Sequence, residues 1–294
     1  MKMRCRAAIL LPILASLGGC GGGSEMVNSA PPPPSYTALA NATSSTPLAT
    51  QAARQEYVRL NNAGIPTITA QLASIEISYD SSSGVYRVRG APMNGSTKTI
   101  DQSFGPGDAS ADIPRTYSRL ATSGGTTESA GLTAGPISGF TYASYGKWTT
   151  GQSDSVNQNF HTLYFSYGVG TLPQDLPKTG QASYSLELSG DGGTLVGGKG
   201  TITADFAAGT IGASLAPTYN YGPVRISNFA NLSGTGTIDS THSSFAASVT
   251  GDGYSGSLSG SFYGPQAAEV GGAFTLTAPN GGVAAVGAFL GKKN

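Results

Sequence analysis

The chain has 294 residues, 43 of them glycine, and only 11% are charged, with 16 Lys+Arg against 16 Asp+Glu. That balance removes the electrostatic footprint nucleic-acid binding needs, and no long periodic helical segment or helical repeat is present. Two cysteines, Cys5 and Cys20, and two histidines, His161 and His242, exclude zinc sites built from His/Cys clusters.

Residues 1–19 read as a lipoprotein signal peptide. Lys2, Arg4 and Arg6 form a basic start, Ala7 to Leu17 supply a short apolar run broken by Pro12, and Leu17-Gly18-Gly19-Cys20 has the form of a lipobox. The run is too short to span a bilayer as a helix. Cys20 is therefore the expected acyl (palmitate) acceptor, and with Cys5 leaving in the signal the mature chain has no disulfide. Gly21 follows the cysteine where an aspartate would favour inner-membrane retention, so outer-membrane sorting is expected. Residues 20–50, with Gly21-Gly22-Gly23-Ser24 and Pro31 to Pro34, have the composition of a disordered tether.

Residues 51–139 read as a small N-terminal β region. Its first stretch, Gln51 to Asn62, predicts one short helix ending at Asn61-Asn62-Ala63-Gly64. Ile75, Ile77 and Tyr79 then alternate with polar residues, Asp80-Ser81-Ser82-Ser83-Gly84 has hairpin composition, and Val85 to Arg89 follow as the return strand. Further strands are predicted over Lys98 to Phe104 and Thr116 to Ala121, and a Gly/Thr/Ser loop from Ser123 to Gly139. This region is read as a small sheet packed on a barrel.

Residues 140–294 carry recurring one-sided apolar faces: Leu163, Phe165, Tyr167; Tyr184, Leu186, Leu188; Ile202, Ala204, Phe206; Phe245, Ala247, Val249. At the end of the chain Tyr254, Gly256, Leu258, Gly260 and Phe262 share one face and Ser255, Ser257, Ser259 and Ser261 the other. Glycine inside strands permits the tight bends of a barrel. About ten strand candidates occur, so one or two lie outside an eight-stranded closure. Ser/Thr outer faces and the absence of aromatic girdles favour a soluble antiparallel barrel over a transmembrane one.

Several motifs here carry a resemblance. Phe262-Tyr263-Gly264-Pro265, Ala268-Glu269-Val270-Gly271-Gly272-Ala273-Phe274, Gly287-Ala288-Phe289 and the terminal Gly-Lys-Lys resemble the end of the C-terminal β-barrel domain of transferrin-binding protein B and its lipoprotein relatives. Leu176 to Tyr184 and Gly200 to Phe206 resemble earlier strands of that barrel, over roughly Phe140 to Lys293. The resemblance implies an outer-membrane, surface-exposed lipoprotein that captures a solute or host protein in iron or haem acquisition, with a host iron or haem protein and a TonB-dependent receptor as partners. This chain has one such barrel where the founding member has two lobes, and no partner-contact residue carries over. The competing reading is a structural or adhesive envelope lipoprotein with no iron role.

No convincing catalytic set is assembled, and the chain is not read as an enzyme. A Ser-His-Asp arrangement can be drawn with either histidine, but both read as exposed or strand-end residues, and Gly256-Ser257-Leu258-Ser259-Gly260 falls mid-strand rather than at a strand-to-helix elbow. Asp191-Gly192-Gly193 and Gly251-Asp252-Gly253 match hairpin turns better than calcium loops. Glu269, alone among small and apolar residues, is read as a carboxylate accepting backbone hydrogen bonds at a bend. Tyr142, Tyr145 and Trp148, with Tyr219 and Tyr221 in a loop, are aromatic candidates for a binding surface, though in β proteins such residues more often serve core or rim packing. Catalytic and metal residues are assigned as none and no cofactor is expected; haem is one ligand the resemblance allows, but His161 and His242 are poorly placed for it, leaving a tyrosine as the other ligand.

Overall fold

A computed structural model describes residues 34–42, 47–61, 64–90, 99–222 and 226–294. Cys20 and the signal sequence lie outside the described residues. The remainder is all-β. In chain order the strands are β1 (Ala49–Arg59), β2 (Thr67–Ala73), β3 (Ile75–Asp80), β4 (Val85–Gly90), β5 (Ile100–Phe104), β6 (Thr116–Ser123), β7 (Thr126–Thr133), β8 (Ala143–Ser153) and β9 (Gln158–Gly168). They continue as β10 (Gln181–Asp191), β11 (Leu195–Asp205), β12 (Thr210–Asn220), β13 (Ile226–Asn228), β14 (Leu232–Asp239), β15 (Ser244–Gly251), β16 (Tyr254–Tyr263), β17 (Glu269–Thr277) and β18 (Val283–Lys293).

Eight of these close into an antiparallel barrel. The order β11-β10-β18-β17-β16-β15-β14-β12 ends where β12 pairs back onto β11, and short β13 folds onto the end of β12. The predicted greasy faces point inward: Tyr184, Leu186, Ile202, Ile211, Leu232, Phe245, Leu258, Phe262, Phe274 and Phe289 form one buried core. A barrel with this inside faces water with its Ser/Thr side, the reverse of a membrane-spanning one.

The earlier strands make two further layers. The order β2-β1-β9-β8-β7-β6 is a six-stranded antiparallel sheet, and β3-β4-β5 is a three-stranded one. Ile77, Tyr86, Val88 and Phe104 of the small sheet pack against Ala52, Leu132, Trp148, Leu163 and Phe165 of the large one. The opposite face of the large sheet lies on the outside of β17 and β18, where Tyr164 meets Val286 and Ala288, and Ala143 meets Tyr263 and Leu290. Strands β17 and β18 are therefore buried on both faces, which explains the unbroken apolar run from Val283 to Leu290. The boundary expected at 139/140 falls in the β7–β8 connection. The two strands after it pair with β7 and β1 rather than with the barrel.

Three readings are corrected. In the span read as a helix, Asn62 lies outside the described residues and Gln51 to Arg59 instead form most of β1, hydrogen-bonded to β2 on one side and β9 on the other. Its good helix formers yield to two-sided pairing, and the adjacent Ala52 and Ala53, both at 0% exposure, are buried against opposite layers. The Ser123 to Gly139 loop contains β7, because Gly124 and Gly125, at φ 59° and 80°, form the tight turn that returns β6. Finally, packed chain begins before residue 51: Tyr36 Oη accepts from Leu172 N at 2.9 Å, Leu39 N donates to Thr141 O at 2.8 Å with its side chain buried, and Leu48 pairs with Ile77.

Candidate binding surface

The segment that carried the family resemblance is the joint between the large sheet and the barrel. After β16 the chain turns through Gly264, Gln266 and Ala267 at φ 70°, 51° and 55°. Gly264 has to be glycine, since a Cβ there would sit 2.2 Å from the Tyr142 ring. From this turn Glu269, 3% exposed, reaches into the start of β8. Its Oε1 accepts from Thr141 N at 2.7 Å, and its Oε2 accepts from Tyr142 N and Ala143 N at 2.9 Å each. Three backbone donors around one carboxylate are a structural clamp, the role its sequence position suggested. Thr171 Oγ1 donates to Gly264 O at 2.6 Å, Tyr184 Oη to Ala267 O at 2.8 Å, and Gln266 N to Asp175 Oδ2 at 2.9 Å. Nothing local in the sequence marks Asp175 and Gln266, because their pairing spans 91 residues.

The two histidines end up in different settings. His161, predicted exposed or at a strand end, is 2% exposed on β9, opposite Glu56 of β1 and Thr150 of β8. Its Nδ1 lies 3.7 Å from Glu56 Oε1, too far for a hydrogen bond, and neither ring nitrogen has a hydrogen-bond partner. Burial pushes its pKa below the usual imidazole range, with Glu56 opposing that shift and Arg54 adding to it. His242 sits on the exposed β14–β15 turn, Nδ1 2.7 Å from Asp239 Oδ2. Asp239 also accepts from Thr241 Oγ1 and Thr241 N, and these hydrogen bonds, with the one to His242, hold its carboxyl at about 2. Neither histidine hydrogen-bonds a serine hydroxyl among the described residues, and Ser243 Oγ, next to His242, is buried and unpartnered. No group of three or more His, Cys, Asp or Glu side chains that could hold a metal occurs among the described residues.

The aromatic candidates divide in the same way. Trp148 is core, its Nε1 donating to Gln102 Oε1 at 2.8 Å. Tyr142 and Tyr145 pack at the joint. Tyr219 and Tyr221 instead reach the open end of the barrel, where Tyr219 stacks on Phe229 at 4.1 Å and 18°, Phe229 meets Tyr254 at 5.5 Å and Tyr221 meets Tyr219 at 5.9 Å. Tyr219 Oη donates to Ala284 O at 3.3 Å, and burial raises its pKa. These rings cap the barrel core and present Tyr221, 55% exposed, with Leu195, 65% exposed, beside it on β11 opposite Asn220. Around them Asp252 accepts from Asn231 N at 2.8 Å and Nδ2 at 3.2 Å, and Asn231 Oδ1 accepts from Asn228 Nδ2 at 3.1 Å.

A family model described as the C-lobe and N-lobe beta barrels of Tf-binding protein B matches residues 140–293, just over half of the chain. The chain belongs to the transferrin-binding protein B family. Similar solved structures include intact Ap-TbpB with its N and C lobes, at 15% identity over 85% of this chain and 77% of that one, TM-score 0.35. Others are a transferrin-binding protein B double mutant from Haemophilus parasuis Hp5, at 14% over 84% and 76%, TM-score 0.37, and the isotype 1 protein from serogroup B Neisseria meningitidis, at 17% over 82% and 43%, TM-score 0.38. No curated protein matches the chain. The transferrin-binding protein B match covers β8 and β9 as well as the closed barrel, and so includes both sides of the Glu269 clamp.

Proposed function

We propose that this protein is a capture component and not an enzyme: a surface-exposed outer-membrane lipoprotein, anchored through acylated Cys20, that binds a host iron or haem protein and delivers it to a TonB-dependent receptor. The observation that carries this reading is membership of the transferrin-binding protein B family. The exposed rim of Tyr221 and Leu195 at the loop end of the barrel supports it, because exposed aromatic and apolar side chains on a fixed base are what protein partners bury. The joint is committed to holding two layers together, and His161 is too deeply buried to ligate haem.

The test is solid-phase binding of the full-length lipoprotein to iron-loaded and iron-free host transferrin, lactoferrin, haemoglobin and free haem, with albumin as control. Saturable binding to one carrier, weakened at least about tenfold in Tyr221→Ala/Leu195→Ser by loss of hot-spot contacts, is the expected result. Binding to none of them, on cells that display the protein, would remove the iron role.

A further inference from the structure

Sheet edges expose unpaired backbone N–H and C=O groups, and proteins protect them with charge, short length or a covering segment. Among the described residues the barrel closes on itself, and its appended strand β13 is three residues long. The other open edges are protected too. Edge strand β3 carries Glu76, in an ion pair with Arg89, and is bridged by Leu48 at Ile77; β5 carries Asp101, which receives a two-pronged Arg87 contact. Edge strand β6 carries Arg119 over the Phe104 ring, and Ser110 N and Ala109 cover its start.

Among the described residues strand β2 has none of these devices. Thr67-Ile68-Thr69-Ala70-Gln71-Leu72-Ala73 is seven residues long, has no charge and no proline, and among the described residues pairs on one side only, with β1. Thr67, Ile68, Thr69 and Gln71 are all exposed. Ile65, just before it, is 96% exposed.

The strand is also complementary to itself. An antiparallel pairing of two copies about a two-fold axis at Ala70 sets Ile68 opposite Leu72 and Thr69 opposite Gln71. The first pair lies on the face toward the barrel and the second on the face toward the three-stranded sheet. No like charges meet anywhere along that register, and two-fold pairing of one patch with itself closes without leaving a growing edge. We propose that β2 joins two copies of this chain into a dimer whose six-stranded sheets run on as one. This does not rest on the ligand reading.

The experiment uses Thr69 and Gln71, whose side chains are outside the core. Thr69→Lys/Gln71→Lys places lysine opposite lysine twice across the axis, while Thr69→Lys/Gln71→Glu places lysine opposite glutamate twice. Sedimentation of the full-length protein in detergent is expected to show a concentration-dependent dimer for the wild type. The double-lysine variant should raise the dimer dissociation constant about tenfold or more, and the lysine/glutamate variant should restore the wild-type value. Far-UV circular dichroism checks that each variant is folded. A wild type that stays monomeric at every concentration, or two variants that dimerise alike, would overturn the proposal.

Discussion

Glu269 shows how one side chain can hold two layers together. Its carboxylate accepts from Thr141 N, Tyr142 N and Ala143 N at the start of β8. Glu269→Gln keeps one oxygen but turns an amide NH2 toward a backbone donor, so it is expected to destabilise by about 2–4 kcal/mol in urea unfolding, with Glu269→Ala at least as costly. His161 makes a different prediction. Burial lowers its pKa in the folded state, so the unfolded chain takes up the proton first as pH falls. Stability from this residue is complete above the unfolded value, about 6.5, and is lost as pH drops below it. Unfolding midpoints measured from pH 8 to 5 should fall in the wild type and fall less in His161→Leu. Equal slopes would show that folding leaves the proton affinity of the ring unchanged, and a wild type that fell less than the variant would show a ring protonated in the fold beside Glu56.

At the level of elements, the turn after β16 and strand β1 carry the argument. Gly264 combines a positive φ with a Tyr142 ring where a Cβ would go. Gly264→Ala is therefore expected to cost about 1–3 kcal/mol from backbone conformation alone, with the clash added. A chain trimmed to begin at residue 51 should melt lower than one beginning at 34, since it loses the Tyr36, Leu39 and Leu48 contacts and the first two residues of β1. Equal melting temperatures would mean that residues 34–50 contribute nothing to the fold. β1 also marks where reading from the sequence fails. Arg54, Glu56 and Arg59 look like a solvated helix face, but the strand is central in its sheet and packed on both sides, a fact set by β9 about a hundred residues later.

For the whole molecule, the layers run from three-stranded sheet to six-stranded sheet to barrel, and the aromatic rim lies on the barrel's loop end. A lipid anchor at Cys20 would tether this body to a membrane through residues 21–33. Cells expressing the wild type should incorporate labelled palmitate into the protein and retain it in the membrane fraction. Cys20→Ala should do neither, and labelling that survived the substitution would place the lipid elsewhere.

The sequence alone determined the barrel: strands with one greasy face and glycine at bends carry a two-residue period that survives whatever lies next to them, and closure needs only their number and order. The inward faces of β10, β11, β15 and β16 and the turn character of Asp239 to His242 were legible for the same reason, because each depends on near neighbours. Glu269 stood out as a lone carboxylate among small and apolar residues, but its partners Thr141, Tyr142 and Ala143 come from a distant part of the chain. Only the tertiary structure decided which strands lie outside the barrel, that β17 and β18 are covered on both faces, that His161 is buried, and that Tyr221 is exposed while Tyr142, Tyr145 and Tyr219 are half-buried and Trp148 is core. Those outcomes turn on pairings between residues up to more than two hundred positions apart, such as Gln51 with Ser261, and a local pattern of polar and apolar residues does not encode which distant face will cover it.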